Sequence, residues 1–548
     1  MLLVALGSLS AGSAQTAAAA PATVPTAPLQ QVLTYIHGGW DQLTRSPQDC
    51  ETVLDKRNPA NSVLYLPAGM AETPGLKQLA QRCGIHVDHL PEPVRNPGQL
   101  ASVKFSPQGL LYLPNAYVVP GGFFNEMYGW DSYFIILGLL EDHRVQLARG
   151  MVDNFLFEIE NYGAVLNANR TYFLSRSQPP FLTSMILAVH CAQQAEGKND
   201  KEWLARAYRD AVLDYDMWTR APHLAGDTGL SRYYDFGEGP APEITDIHDP
   251  YYLDVANQLF QRPALIGNLL SRVAAEGTPK DWPRFTVSVC PGGNDEKCPP
   301  TQTVAFTADY YKGDRSDRES GFDITFRFGP FAAATHHYAA VGLNSLLYKT
   351  ENDLAELSAL AGHSGDAPQW RERAARRRAA VDKYLWDPKA GMYFDYDFTA
   401  AKRSSYVYAT TFYPLWAGMA SPQQARAVAA NLKRLERPGG LATSDFASGV
   451  QWDLPYGWAP LQLLSVEGLR HYGFAADANR LSLEFLSDVM DNFRRDGAIR
   501  EKYNVVTRTT ETNLTAGYRS NVIGFGWTNG VFLRLLRELP PSDREKLK

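Results

Sequence analysis

Residues 461–493, LQLLSVEGLRHYGFAADANRLSLEFLSDVMDNF, place apolar side chains three and four positions apart along most of their length. That spacing gathers them on one face of a 3.6-residue turn, so the stretch predicts helix. The same period recurs over 182–218, 332–360, 369–385, 423–435 and 531–539. Between these segments lie Gly-, Pro- and aromatic-rich stretches with little regular period. Short strand-like pieces at 110–113 and 172–174 are too few for a main sheet. The pattern predicts an all-α chain, a toroid of helical hairpins with its site built from loops at one end.

The bulk numbers fit one large globular unit. The 548 residues are 45% hydrophobic and 20% charged, an ordinary balance with ample apolar material for a core. A net charge of −6 gives no electrostatic footprint for nucleic acid or an anionic membrane. No segment beyond the N-terminus is apolar for long enough to span a bilayer. Residues 1–14 read as a shortened export signal, with an apolar stretch at 2–9 and small residues Gly12, Ser13 and Ala14 for a peptidase, but no basic start. An Ala/Pro/Thr-rich linker over 15–30 follows, then a single domain over 31–548. The expectation is an exported, periplasmic or secreted, monomeric protein.

Five cysteines leave pairing open: Cys290 with Cys298 across a short polar loop, Cys50 with Cys83, and Cys191 left over in an apolar helical stretch. Their spacing is poor for zinc, and the His336-His337 doublet at a helix start reads as structural.

Five loop stretches concentrate chemistry. In Pro120-Gly-Gly-Phe-Phe-Asn-Glu-Met-Tyr-Gly-Trp-Asp-Ser-Tyr-Phe134, Trp130 offers an apolar plate beside the Asp131 carboxylate. Sugars need that combination, since their C–H faces stack on rings while their hydroxyls meet charged acceptors. The competing reading makes Asp131 a helix cap. In 167–180, two prolines stiffen the chain after Arg176 and Gln178. In Glu319-Ser-Gly-Phe-Asp-Ile-Thr-Phe-Arg-Phe328, Asp323 stands among phenylalanines, which disfavour its ionised form and suit it to hold a proton as a general acid. The alternative is a structural Asp323–Arg327 pair. Gln451-Trp-Asp-Leu-Pro-Tyr-Gly-Trp-Ala-Pro460 would be wasteful as core and makes sense as a rigid sugar-facing loop. In Arg500-Glu-Lys-Tyr-Asn504, two cations flank Glu501 and favour its ionised form, as a water-activating base requires. A surface charge cluster is the competing reading.

These motifs, together with Gly524-Phe-Gly-Trp-Thr-Asn-Gly530 and in the same chain order, resemble those of trehalases, glycoside hydrolase family 37, over roughly residues 100–540. The resemblance implies an (α/α)6 barrel and hydrolysis with inversion, without metal or cofactor, on a small α-glucoside and water. By motif position it assigns Asp323 as general acid and Glu501 as general base. It places Phe124, Trp130, Asp131, Asn167, Arg176, Gln178, Glu243 and Trp452 against the sugar. An inverting pair stands about 6.5–9.5 Å apart, leaving room for the water.

The chain also departs from the family. Phe123 stands where the family has Arg, Ala241 replaces a second Arg ahead of Pro242-Glu243, and a Gly-rich acidic lid becomes Leu514-Thr-Ala-Gly-Tyr-Arg519. Arg519 is a new cation that could reach the site. The departures keep two other readings open: a hydrolase of another small α-glucoside such as kojibiose or glucosylglycerate, and a non-catalytic carbohydrate-binding protein.

Overall fold

The protein is described by a computed structural model covering residues 29–547, apart from 57, 246–248, 263–264, 266–268, 273–278, 280–281 and 288–300. The signal and most of the linker expected over 1–30, and the Cys290–Cys298 pair, lie outside these residues. Leu29 and Gln30, expected in the linker, open the first helix.

Twelve helical segments among the described residues build the body, numbered here in chain order. They are α1 (Leu29–Leu43), α2 (Gly129–Glu141), α3 (Val145–Tyr162), α4 (Leu182–Ala195), α5 (Lys201–Trp218), α6 (Val341–Leu360), α7 (Ala367–Tyr384), α8 (Tyr413–Trp416), α9 (Pro422–Ala430), α10 (Ala459–His471), α11 (Ala475–Asp496) and α12 (Gly526–Glu538). The even-numbered helices form an inner ring in which each touches the next, and α12 packs extensively back on α2 to close the circle. The odd-numbered helices lie outside. This is the expected (α/α)6 toroid, and residue pattern explains which helix takes which place. The first eleven residues of α2 are all buried, as an inner helix with protein on every side requires. Outer α11 buries only a stripe, including Ala478, Leu481, Phe485, Val489 and Phe493, and leaves its other face to water.

The helix ends follow capping chemistry. Asp200 accepts from the Trp203 amide at the start of α5 (3.0 Å). Ser421 and Gln424 form a reciprocal capping box at α9. The periodic stretch 461–493 is two helices, broken by Gly473 at φ +84° between α10 and α11. The stretch 332–360 is helical only from Val341, because 3-10 turns and a two-residue strand fill its first part.

Two smaller assemblies sit on the ring. Parallel strands Val63–Leu66, His86–His89 and Leu110–Leu111, with the Pro74–Cys83 helix, enclose their own apolar cluster. A Cys50–Cys83 disulfide ties this unit, while Cys191 is a free, exposed thiol rather than a buried one. The strand expected at 172–174 is a 3-10 turn, Thr171–Phe173, in a loop that lines the site. The second assembly centres on the Ala308–Ser320 helix, packed with Tyr251, Tyr252, Phe306 and Phe331.

Candidate active site

The Ala308–Ser320 helix is the least expected element, since its charged sequence reads as a solvated surface. Every residue from Tyr310 to Ser320 is buried. Buried charges need partners, and most of those here find them, whereas burial holds the Asp317 carboxyl well above the usual range. Lys312 donates to the Asp235 and Gly237 carbonyls (2.9 and 2.6 Å). Arg315 pairs with Asp235 (3.1 Å) and Arg318 with Asp314 (3.2 Å). Glu319 accepts from the Tyr234 amide (2.6 Å) and faces His223 (3.3 Å).

At the end of this helix the chain turns through Gly321, at φ +74°, where an added Cβ would stand 2.8 Å from the Trp130 indole. Only glycine supports both the backbone and the approach. The turn delivers Asp323 into a cavity of about 220 Å³ at the loop end of the toroid. All ten residues expected at the site line this cavity: Asp323, Glu501, Phe124, Trp130, Asp131, Asn167, Arg176, Gln178, Glu243 and Trp452.

Asp323 is anchored by backbone. Gln451 donates through Nε2 to its carbonyl, and the Trp452 amide donates to the Ile324 carbonyl (3.1 Å). Asp453, within the loop read as sugar-facing, turns inward and accepts from the Phe326 amide, Tyr406 and Ser448 (2.9, 2.8 and 2.6 Å). It fixes the loop leaving Asp323. Burial pushes the Asp323 carboxyl up to about 6, against the opposing charges of Arg318 and Arg176. The expected alternative partner, Arg327, is bound instead to Asp395 (2.5 and 2.6 Å).

Glu501 lines the same cavity from a separate segment. Its amide donates to the Val522 carbonyl (3.0 Å) and its carbonyl accepts from Trp527 Nε1 (3.1 Å). Only one of its two flanking cations serves it: Lys502 Nζ sits 2.7 Å from Oε2, whereas Arg500 pairs with Asp496 (3.3 Å). The surface-cluster reading fails because Lys502 is wholly buried and Glu501 nearly so.

The floor is aromatic. Trp452 stacks on Trp458 (3.8 Å, 6°), and Trp130 meets Phe322, Trp452 and Trp527. Asp131 is buried beside Trp130, and burial, with the charges of Glu501 and Asp323, holds its carboxyl well above the usual range. Gln178 Oε1 accepts from the Trp130 amide (2.9 Å), and Asn167 donates to the Arg318 carbonyl (3.3 Å).

One wall is cationic, and here the sequence reading missed a residue. Arg176 holds Glu243 (2.6 Å), and Arg318 comes within 4.0 Å of Glu243 and 3.8 Å of Asp323. Burial alone would raise Glu243, but Arg176, Arg318 and Arg315 outweigh it and hold it down to about 2. Arg318 supplies a second guanidinium to this wall, from the helix. Its signal was its place five residues before Asp323, hidden in a charged run. Ala241 is fully buried and does not line the cavity. Phe123 borders a second, adjoining cavity with Tyr35 and Ile523. Arg519 does not line the site; it pairs with Asp254 (2.8 Å) and ties its loop to the Tyr251–Gln261 helix.

Comparison with known proteins agrees with this geometry. The trehalase family profile matches residues 30–272 and 305–540. A cytosolic neutral trehalase of Saccharomyces cerevisiae is 35% identical, over 91% of this chain and 69% of the relative. Its counterpart in Kluyveromyces lactis is 38% identical, over 76% of this chain and 55% of the relative. The solved structure of neutral trehalase Nth1 from Saccharomyces cerevisiae superposes with a TM-score of 0.76 at 32% identity, covering 95% of this chain and 96% of that one. The expectation of an exported, periplasmic protein is overturned by these relatives, which are cytosolic in both yeasts and in Neurospora crassa. The chain belongs to the trehalase family of glycoside hydrolases.

Proposed function

We propose that this chain is an α,α-trehalase that cleaves trehalose with inversion, using Asp323 as the acid and Glu501 as the base, within one catalytic domain over 31–548. The observation that carries the reading is the pair of carboxyls lining one cavity in opposite environments. Asp323 is desolvated and pushed up to about 6, so it holds a proton near neutrality. Glu501 is ion-paired through one oxygen with Lys502, leaving the other to take a proton from water.

The step balances simply. Asp323 gives its proton to the glycosidic oxygen as the bond to the anomeric carbon breaks. Glu501 takes a proton from the water that attacks the opposite face of that carbon. Trp130 and Trp452 present apolar faces to the sugar rings, and Asp131, Arg176, Glu243 and Arg318 meet the hydroxyls. Arg318 answers in part for the family arginines missing at 123 and 241. The family match and the relatives' activity do not favour the other-glucoside or binding-only readings.

The test is proton NMR of the first products from trehalose. Inversion gives equal α- and β-glucose, because the attacked ring inverts and the leaving ring does not. Asp323→Asn and Glu501→Gln should each lower kcat by about 10²–10⁴ while circular dichroism is unchanged. Exclusive α-glucose, or near-wild-type turnover in either variant, would sink the assignment.

A further inference from the structure

Away from the sugar cavity, the other end of the Ala308–Ser320 helix carries a cluster the reaction does not use. Asp309 lies in its first turn, and the 3-10 turn Thr335–His337 packs against it. His336 Nε2 is 3.0 Å and His337 Nε2 is 3.5 Å from the same Asp309 oxygen. One donor atom from each of the three residues lies within 4.8 Å of the others, the only such group among the described residues.

We propose that Asp309, His336 and His337 form a binding site for a divalent transition ion of the zinc class, distinct from the catalytic cavity. Donor chemistry selects the ion: two imidazole nitrogens and one carboxylate oxygen suit Zn²⁺, Ni²⁺ or Cu²⁺ and not Ca²⁺ or Mg²⁺, which take all-oxygen shells. Geometry agrees. A tetrahedral zinc with ligand bonds of about 2.0–2.1 Å sets its donors about 3.4 Å apart, and the two nitrogen–oxygen distances, 3.0 and 3.5 Å, bracket that edge.

The scaffold is set before any ion arrives. Gly313 brings the helix so close to the 332–334 segment that an added Cβ would lie 2.0 Å from the Ala333 carbonyl oxygen. Thr335 Oγ1 donates to the Ala332 carbonyl (2.8 Å), and Arg232 holds the turn from behind through the His336 carbonyl (2.8 Å). His336 is buried while Asp309 is more than half exposed, so the group is rooted in the fold and open to solution on one side. Two protein imidazoles and a carboxylate leave the fourth position to water. Bound metal would staple the turn to the start of the helix, nine residues and about 14 Å along its axis from Arg318.

The experiment uses the full chain, untagged and freed of metal with EDTA, titrated with ZnCl2 by calorimetry and with CoCl2 by visible absorption. The wild type should bind one ion per chain, show the absorption of four-coordinate cobalt, and gain Tm in excess Zn²⁺. Asp309→Asn and His337→Gln, at exposed or half-exposed positions, should each weaken binding about tenfold or more and lose the Tm gain. Both should keep wild-type circular dichroism and wild-type trehalose turnover in EDTA. No binding by the wild type, or equal affinity in all three proteins, would overturn the site.

Discussion

At the residue scale, Asp323 ties the stability of the chain to its chemistry. Its carboxyl titrates near 6 in the fold against an ordinary value of 3.8, so the folded state holds the proton more tightly than the unfolded one. The stability this lends is present below about pH 4 and is lost as pH rises through 6. Asp323→Asn removes the titration, so its Tm should gain on wild type between pH 4 and 6 and then level off, read by thermal melts across pH. Arg318 gives a second test. Its positive charge lowers the Asp323 carboxyl, so Arg318→Gln should move the alkaline fall of kcat/KM upward from about pH 6 while reducing its height. An unmoved limb would separate Arg318 from the acid. The residues legible in the sequence were those whose aromatic or acidic character made no sense as loop or core, as with Trp130, Asp323 and Trp452. Arg318 and Asp453 were not, because a charge in a charged run and an acid in a sugar-like motif look alike whether they face ligand or backbone. Burial and hydrogen bonding decide that, and neither is written in spacing.

At the element scale, period gave the helices and missed what interrupts them. Residues 332–340 kept a helical spacing of apolar side chains, yet the Ala334 amide is held to the Phe328 carbonyl and short 3-10 segments precede α6, whose first amide, Val341, is held by Asp395. The parallel unit around Val63–Leu66 escaped because strands of two to four residues carry too few alternations to register. This unit is stapled by Cys50–Cys83 across 33 residues. In the oxidised protein the crosslink restricts the unfolded chain, so Cys83→Ser should cost about 3–4 kcal/mol by the loop-entropy argument. Neither cysteine lines the sugar cavity, so turnover at 25 °C should hold. Denaturant melts of wild type and variant, with trehalose assays alongside, check both halves.

At the scale of the whole molecule, the toroid was legible as a class and its closure was not, since no local pattern reveals that the last inner helix returns to the first. That contact joins α12 to α2, and both deliver residues to the cavity: Trp130 and Asp131 from α2, Trp527 from α12. A chain ending before α12 should therefore lose the ring as well as the cavity wall. Truncation at Phe525 is expected to abolish both turnover and a cooperative thermal transition; a cooperatively melting truncated protein would show that the ring stands without its seam.

The same seam sets a schedule for the newborn enzyme. Synthesis runs from α1 toward α12, and the wall of the pocket is complete only when Trp527 meets Trp130. A nascent chain can fold hairpin after hairpin and still have no pocket to offer, so the cavity waits for α12 to leave the ribosome.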